Sequence, residues 1–197
     1  MLIYSQQVTE TVAPTTEPVT LAYAKLHLRV DITDDDTLIT NLIKAAREYA
    51  ETYCARSFVQ HTYRADLANF ADLMELPLGP VQSVTSIKYY DTASPSVLQT
   101  LASTVYAVNK NCITRTYGQS WESVAYRPDA VQITYQTGYS DLASPEDTIA
   151  SIPQAVVVAI LLLIGDYYEN REGQSGSRPL VENPTVMTLL NTYRQYR

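Results

Sequence analysis

The amino-acid sequence predicts an α+β protein: a helical core built from both ends of the chain, with an antiparallel β-rich insertion between. Three observations carry this. Helical hydrophobic patterns occur only towards the two ends. Short β-branched and aromatic runs, broken by turn residues, fill the middle. The 197 residues are 46% hydrophobic, enough for a buried core of ordinary size. The expected boundaries are an extended N-terminal arm over 1–17, a helical core from 18–56 and 150–197, and a β-rich insertion over 57–149.

The arm, MLIYSQQVTETVAPTTE, is rich in Thr and has no helical period; a short strand is expected at Leu2–Tyr4. Thr20 then suits a helix N-cap, because its hydroxyl can accept from a free backbone N–H of the first turn. Leu21, Ala24 and Leu28, with Tyr23 and Leu26, recur at helical spacing over about two turns. Asp34-Asp35-Asp36 follows. Thr33 and Asp36 stand three apart, as in a capping box with Asp in place of Glu. Carboxylates in a first turn also suit the positive end of the helix dipole. The next helix is expected from Thr37 to about Ala55, with Leu38, Leu42, Ala45, Tyr49 and Tyr53 on one stripe widened by Ile39, Ile43, Ala46 and Ala50.

Strands are expected within Ser57–Leu67, Met74–Leu76, Val84–Tyr90, Val97–Leu101, Tyr106–Val108, Cys112–Tyr117 and Ala130–Tyr139. Asp91–Pro95 reads as a turn and 141–150 as a loop. A helix then opens at Ser151-Ile152-Pro153, with Ser151 as cap and Pro153 in the first turn. It runs to about Glu172. From Ala155 to Ile164 it is apolar nearly all round, so it is central in the fold or lies between subunits. Gly173–Arg178 is a flexible break. Asn183-Pro184 is a cap followed by a first-turn proline, and Val186, Leu189, Leu190 and Tyr193 stripe a last helix ending in Arg194 and Arg197.

Charge narrows the function. Acids exceed bases 21 to 14, a net −7, which argues against a protein that coats nucleic acid. It does not exclude a channel through which DNA passes without sticking. Charged residues are only 18%, and 16 tyrosines give amphipathic surface suited to interfaces. The ten-residue apolar run Ala155–Ile164 is about half of the ~20 residues a bilayer needs, so no membrane contact is expected. The N-terminus has no basic region followed by an apolar stretch and reads as no signal peptide. A soluble protein made in the cytoplasm is expected.

Several residue clusters bear on chemistry. Asp34–Asp36 could serve a small metal-dependent hydrolase, but consecutive helical residues splay by ~100° each, and capping explains them without a metal. Cys54 and Cys112 form no CxxC pair, and His27 and His61 lie far from both, so no zinc spacing exists. Two free thiols are expected, with Cys54 beside the apolar stripe of its helix. The six glycines make neither GxGxxG nor a P-loop. No catalytic residue, metal or cofactor is assigned. A Tyr-rich β module that binds a ligand over 57–140 is a third reading. The stripe at Val186, Leu190, Tyr193, Tyr196 and Arg197 either packs on its own core or docks in a partner as a helix in a groove.

The order of motifs resembles the head–tail connector (adaptor) family of tailed phages, prophages and gene transfer agents. The resemblance rests on Pro18-Val-Thr-Leu-Ala-Tyr-Ala-Lys-Leu-His-Leu-Arg-Val30, Asp34–Asp36, Leu38-Ile39 and Leu42-Ile43-Lys44-Ala45-Ala46-Arg47. It continues through Leu76-Pro77-Leu78-Gly79-Pro80-Val81, Pro128–Val131, Tyr135–Tyr139, Ile152–Ala155 and Asp166–Glu172, so it spans about 18–172. Tyr23 stands where many relatives have Glu. The resemblance implies a structural protein with a helical core. It implies a ring, usually twelve-fold, seated on the portal protein and meeting a tail-side connector or stopper protein. DNA would pass through without sequence-specific binding. The protein would reside at the head–tail junction of a virion or phage-like particle, and in the host cytoplasm before assembly. It also points to the C-terminal segment as the portal contact, with Val186, Leu189, Leu190, Tyr193, Tyr196 and Arg197 as candidates. Deleting 180–197 is then expected to abolish portal binding without unfolding the protein.

Overall fold

A computed structural model describes residues 7–139, 152–170 and 183–195. The chain forms two compact units, one from the first 14 residues with 60–138, the other from 15–59 with 139–197. The fold is mixed α and antiparallel β.

The described residues of the first unit form eight strands: β1 (Gln7–Val12), β2 (His61–Leu67), β3 (Leu73–Glu75), β4 (Val81–Tyr90), β5 (Leu98–Thr100), β6 (Tyr106–Asn109), β7 (Cys112–Arg115) and β8 (Val131–Thr137). They make a five-stranded sheet in the order β1-β2-β8-β4-β5 and a three-stranded sheet in the order β3-β7-β6, every pairing antiparallel. The stretch expected as an arm thus contributes the edge strand β1, in register with β2 from Gln7 opposite Asp66. The strand expected at Leu2–Tyr4 lies outside the described residues. β8 shows the period of a half-buried strand: Val131, Ile133, Tyr135 and Thr137 are buried while Gln132, Thr134 and Gln136 are partly exposed. Its buried face meets Ala65, Leu67 and Ile87 from the neighbouring strands and Met74 and Ile113 from the smaller sheet.

The Leu76–Val81 segment leads into β4, and Asn111 holds it there. The Leu76 N–H donates to the Asn111 carbonyl (2.7 Å), the Val81 N–H donates to Asn111 Oδ1 (3.0 Å), and the Tyr135 hydroxyl donates to the Pro77 carbonyl (3.1 Å). Gly79 is needed for this approach: a Cβ there would stand 2.1 Å from Asn111 Nδ2.

The described residues of the second unit form four helices: α1 (Leu21–Leu28), α2 (Asp36–Cys54), α3 (Gln154–Glu169) and α4 (Pro184–Asn191). Thr20 caps α1 as expected, its hydroxyl accepting from the Tyr23 N–H at 3.2 Å. The capping box expected at Thr33–Asp36 does not form. Asp35 occupies the N-cap position of α2 with no side-chain cap, because its carboxylate and that of Asp36 are engaged elsewhere. Pro153 takes the N-cap position of α3, and Ser151 lies outside the described residues. α3 is central, with Val156, Val157, Ala159, Ile160, Leu161, Leu163 and Ile164 all buried. Among the described residues no helix is long and apolar enough to cross a membrane.

Arg47 organises this unit. The residue is only 5% exposed. Nε donates to Glu17 at 2.8 Å and Nη1 to Glu51 at 2.7 Å, one turn on along α2. The other Glu51 oxygen accepts from the Phe58 N–H (2.7 Å) and the Val59 N–H (3.3 Å). Burial alone would lower the Arg47 pKa; the Glu17 hydrogen bond and the Glu51 and Glu17 charges more than offset this, so the proton is held more tightly than usual. Arg47 and Glu51 together therefore pin both ends of the 15–59 segment to α2. Arg47→Met is expected to lower unfolding stability by about 3–5 kcal/mol, since it leaves two carboxylates uncompensated. Urea denaturation measures this, and a loss under 1 kcal/mol would mean the network is incidental.

Candidate functional site

The acidic cluster was the sequence feature most like a catalytic centre. The structure gives each inner carboxylate a structural partner. Asp36 Oδ1 accepts from Lys25 Nζ at 2.6 Å, joining α1 to α2. Asp35 Oδ2 accepts from the Tyr168 hydroxyl at 2.5 Å, joining α2 to the end of α3. Asp34 remains exposed. Among the described residues no group of three or more His, Cys, Asp or Glu side chains could hold a metal ion. The hydrolase reading has no site here.

The histidines are also placed apart. His27 is exposed on α1, where a Cβ on Gly165 of α3 would lie 3.7 Å from its Nε2. His61 is buried in β2, its Nδ1 2.6 Å from Glu10 Oε1 of β1, and its ring stacks on Tyr63 at 5.4 Å. It fastens the edge strand to the sheet. Both cysteines are free thiols. Cys54 is buried at the end of α2, its thiol donating to the Leu190 carbonyl (3.5 Å), and burial pushes its pKa up to about 11 against the smaller opposing effects of Arg56 and Arg194.

The C-terminal segment is the remaining candidate. The structure brings Val186, Leu189, Leu190 and Tyr193 together, but on the protein's own core. Val186 is 1% and Leu190 0% exposed, and Leu189 and Tyr193 are half-buried against the same cluster. α4 begins as its sequence predicts, the Asn183 side chain accepting from the Thr185 N–H at 3.1 Å. Asn183 Nδ2 also donates to Asp166 Oδ2 of α3 (2.9 Å), which no spacing rule would find. The Tyr53 hydroxyl and Asn191 Oδ1 are 2.7 Å apart, the Gln195 N–H donates to the Cys54 carbonyl (2.9 Å), and the Arg194 guanidinium stands 4.7 Å over the Tyr53 ring. Tyr196 and Arg197 lie outside the described residues. The side of α4 left open carries Thr185, Thr188, Asn191 and Thr192.

The deletion of 180–197 therefore has a different expected outcome from the one its sequence suggested. It strips Val186 and Leu190 from the core, so the truncated protein should be destabilised. Leu190→Ala alone should cost about 2–5 kcal/mol in a denaturant titration; a cost near zero would mean α4 is not docked in solution. Thiol titration gives a second check. At pH 8 the Cys54 thiolate is roughly one part in a thousand, from a pKa near 11. A disulfide reagent should therefore titrate Cys112 in the native protein and both thiols only after unfolding. In a Cys112→Ser variant, native labelling should rise as pH approaches 11. Two fast native thiols at pH 8 would contradict the burial of Cys54.

No curated protein matches the chain. Three solved chains share the fold over 97% of this chain and 96% of their own, each at 22% sequence identity and a TM-score of 0.72. They come from the neck of an empty gene transfer agent particle, the virion of a native gene transfer agent particle, and the neck of a native particle. Residues 18–130, more than half of the sequence, match the family described as phage gp6-like head-tail connector protein. They span α1, the acidic turn, α2 and the strands up to β8. The chain belongs to the phage gp6-like head-tail connector protein family.

Proposed function

We propose that the protein is a structural head–tail adaptor that assembles as a ring on the portal of a phage-like particle, extends the DNA channel and joins the head to a tail-side connector or stopper. The observation that carries this is the family match over 18–130. Connection is a structural task, and the mechanism is assembly rather than turnover. The similar chains belong to necks described with C6 and C12 symmetry, which supports a ring of twelve copies.

A closed ring needs heterologous contacts, one face of each copy against a different face of the next. Ring closure repeats the portal contact and raises avidity without any new type of contact. The net charge of −7 suits a channel that DNA traverses without being held. For the portal contact we assign the C-terminal segment. Leu189 and Tyr193 border the open side of α4, Tyr196 and Arg197 follow, and Val186 and Leu190 hold the helix from the core side.

Light scattering of the purified protein, alone and mixed with the portal of its own particle, tests this. A portal complex heavier by one ring of copies is expected. The double variant Tyr196→Ala/Arg197→Ala should weaken that complex at least tenfold while leaving the melting temperature unchanged, because Val186 and Leu190, which seat α4 on the core, are kept. No mass gained by the portal would sink the adaptor reading. A complex unaffected by the double variant would sink the C-terminal assignment alone.

A further inference from the structure

The corner where α1 turns into α2 is held rigid and yet exposes large aliphatic side chains. Arg29 ends α1 in the left-handed region (φ 58°), and the Val30 N–H returns to the Lys25 carbonyl at 3.0 Å. Lys25 Nζ donates to the Ile32 carbonyl (2.7 Å) as well as to Asp36 (2.6 Å), and the Tyr168 hydroxyl donates to Asp35. Tied at these points, the turn holds Ile32 outward. On this frame Leu26 is 74% exposed and Ile32 59%, while Leu21, Tyr23, Leu28 and Val30 pack against the helical core. The spacing of α1 assigns Leu26 to a packing stripe; the structure turns it to solvent instead.

The surroundings are acidic. Asp31 and Asp34 are exposed on the same turn, and Asp35 and Asp36 are half-buried beside them. Among the described residues of α1 and this turn, the cations are Lys25, engaged with Asp36, and Arg29. The corner thus offers two aliphatic side chains within an excess of negative charge.

We infer that this corner docks a neighbouring protein of the head–tail junction through a basic amphipathic segment, an inference that rests on the adaptor reading above. An aliphatic or aromatic anchor of that segment covers Leu26 and Ile32, and its Lys or Arg side chains meet Asp31 and Asp34. Charge complementarity selects this occupant. Nucleic acid is repelled by the carboxylates. A purely apolar surface would desolvate Asp31 and Asp34 with nothing to pair them. A segment combining apolar and basic residues satisfies both halves of the site and is steered to it. Because the turn is fixed beforehand, little ordering cost falls on this side of the contact.

Photocross-linking in assembled particles tests the inference, with p-benzoylphenylalanine in place of Leu26. That position is exposed, so a melting temperature equal to the parent's is expected and separates a docking failure from a folding failure. The expected product joins residue 26 to a segment of another junction protein in which Lys or Arg flanks an apolar residue. Its yield should fall at least fivefold in the Asp31→Asn/Asp34→Asn background. Particles that contain the folded variant but give no such product, or give a cross-link to DNA, to a second copy of this chain or to a segment without basic residues, would overturn the docking inference and leave the adaptor reading standing. Absence of the parent chain from the particles would overturn the adaptor reading itself.

Discussion

The buried ion pair network at Arg47 is the constraint on which the helical unit depends. A guanidinium taken out of water is tolerable only when its charge is met and its donors are used. Glu17 and Glu51 do this from opposite sides, and Glu51 uses its second oxygen on the backbone at Phe58 and Val59. The chain joins this unit at Thr15 and leaves it after Val59. Both places are therefore fixed relative to α2 by one ion-paired couple, Arg47 and Glu51. Apolar packing around α3 supplies the bulk of the burial, but it is non-directional. The network specifies where the flanking segments go.

The same economy explains the acidic turn. Asp35 and Asp36 are each engaged by a group from another helix, Tyr168 of α3 and Lys25 of α1. Three helices are thereby tied at one corner by two short polar contacts, each partly open to solvent and so modest in energy. A cluster that looks like ligand chemistry in one dimension is, in three, a joint. What it leaves over at the surface is negative charge beside exposed Leu26 and Ile32, and that residue is what suits the corner to a contact.

A head–tail connector has a structural task, and holding its shape is part of it. The chain meets this with α4 docked on its core and with Asn111 clasping the turn into β4. The candidate C-terminal residues illustrate the division of labour within one helix. Val186 and Leu190 hold it down, and Leu189 and Tyr193 border the side that is open.

Local pattern was sufficient for the identity and order of the elements. The stripe of Ile39, Ile43, Ala46 and Ala50 fixes α2, the alternation of Val131, Ile133 and Tyr135 fixes β8, and Thr20 and Asn183 mark helix starts, because each signal depends on neighbours within a few residues. The sequence by itself also carried the family, through motifs whose order the family match bears out over 18–130. It could not show that Gln7–Val12 is the edge of a sheet, since its partner β2 is more than fifty residues away. Nor could it show that the Thr33–Asp36 box would give way to Asp36 pairing with Lys25 and Asp35 with Tyr168, or that Leu26 would face solvent while Leu190 is sealed. Those choices are made by contacts between segments remote in sequence. The competing options differ by little in local energy, so only the packed tertiary structure decides among them.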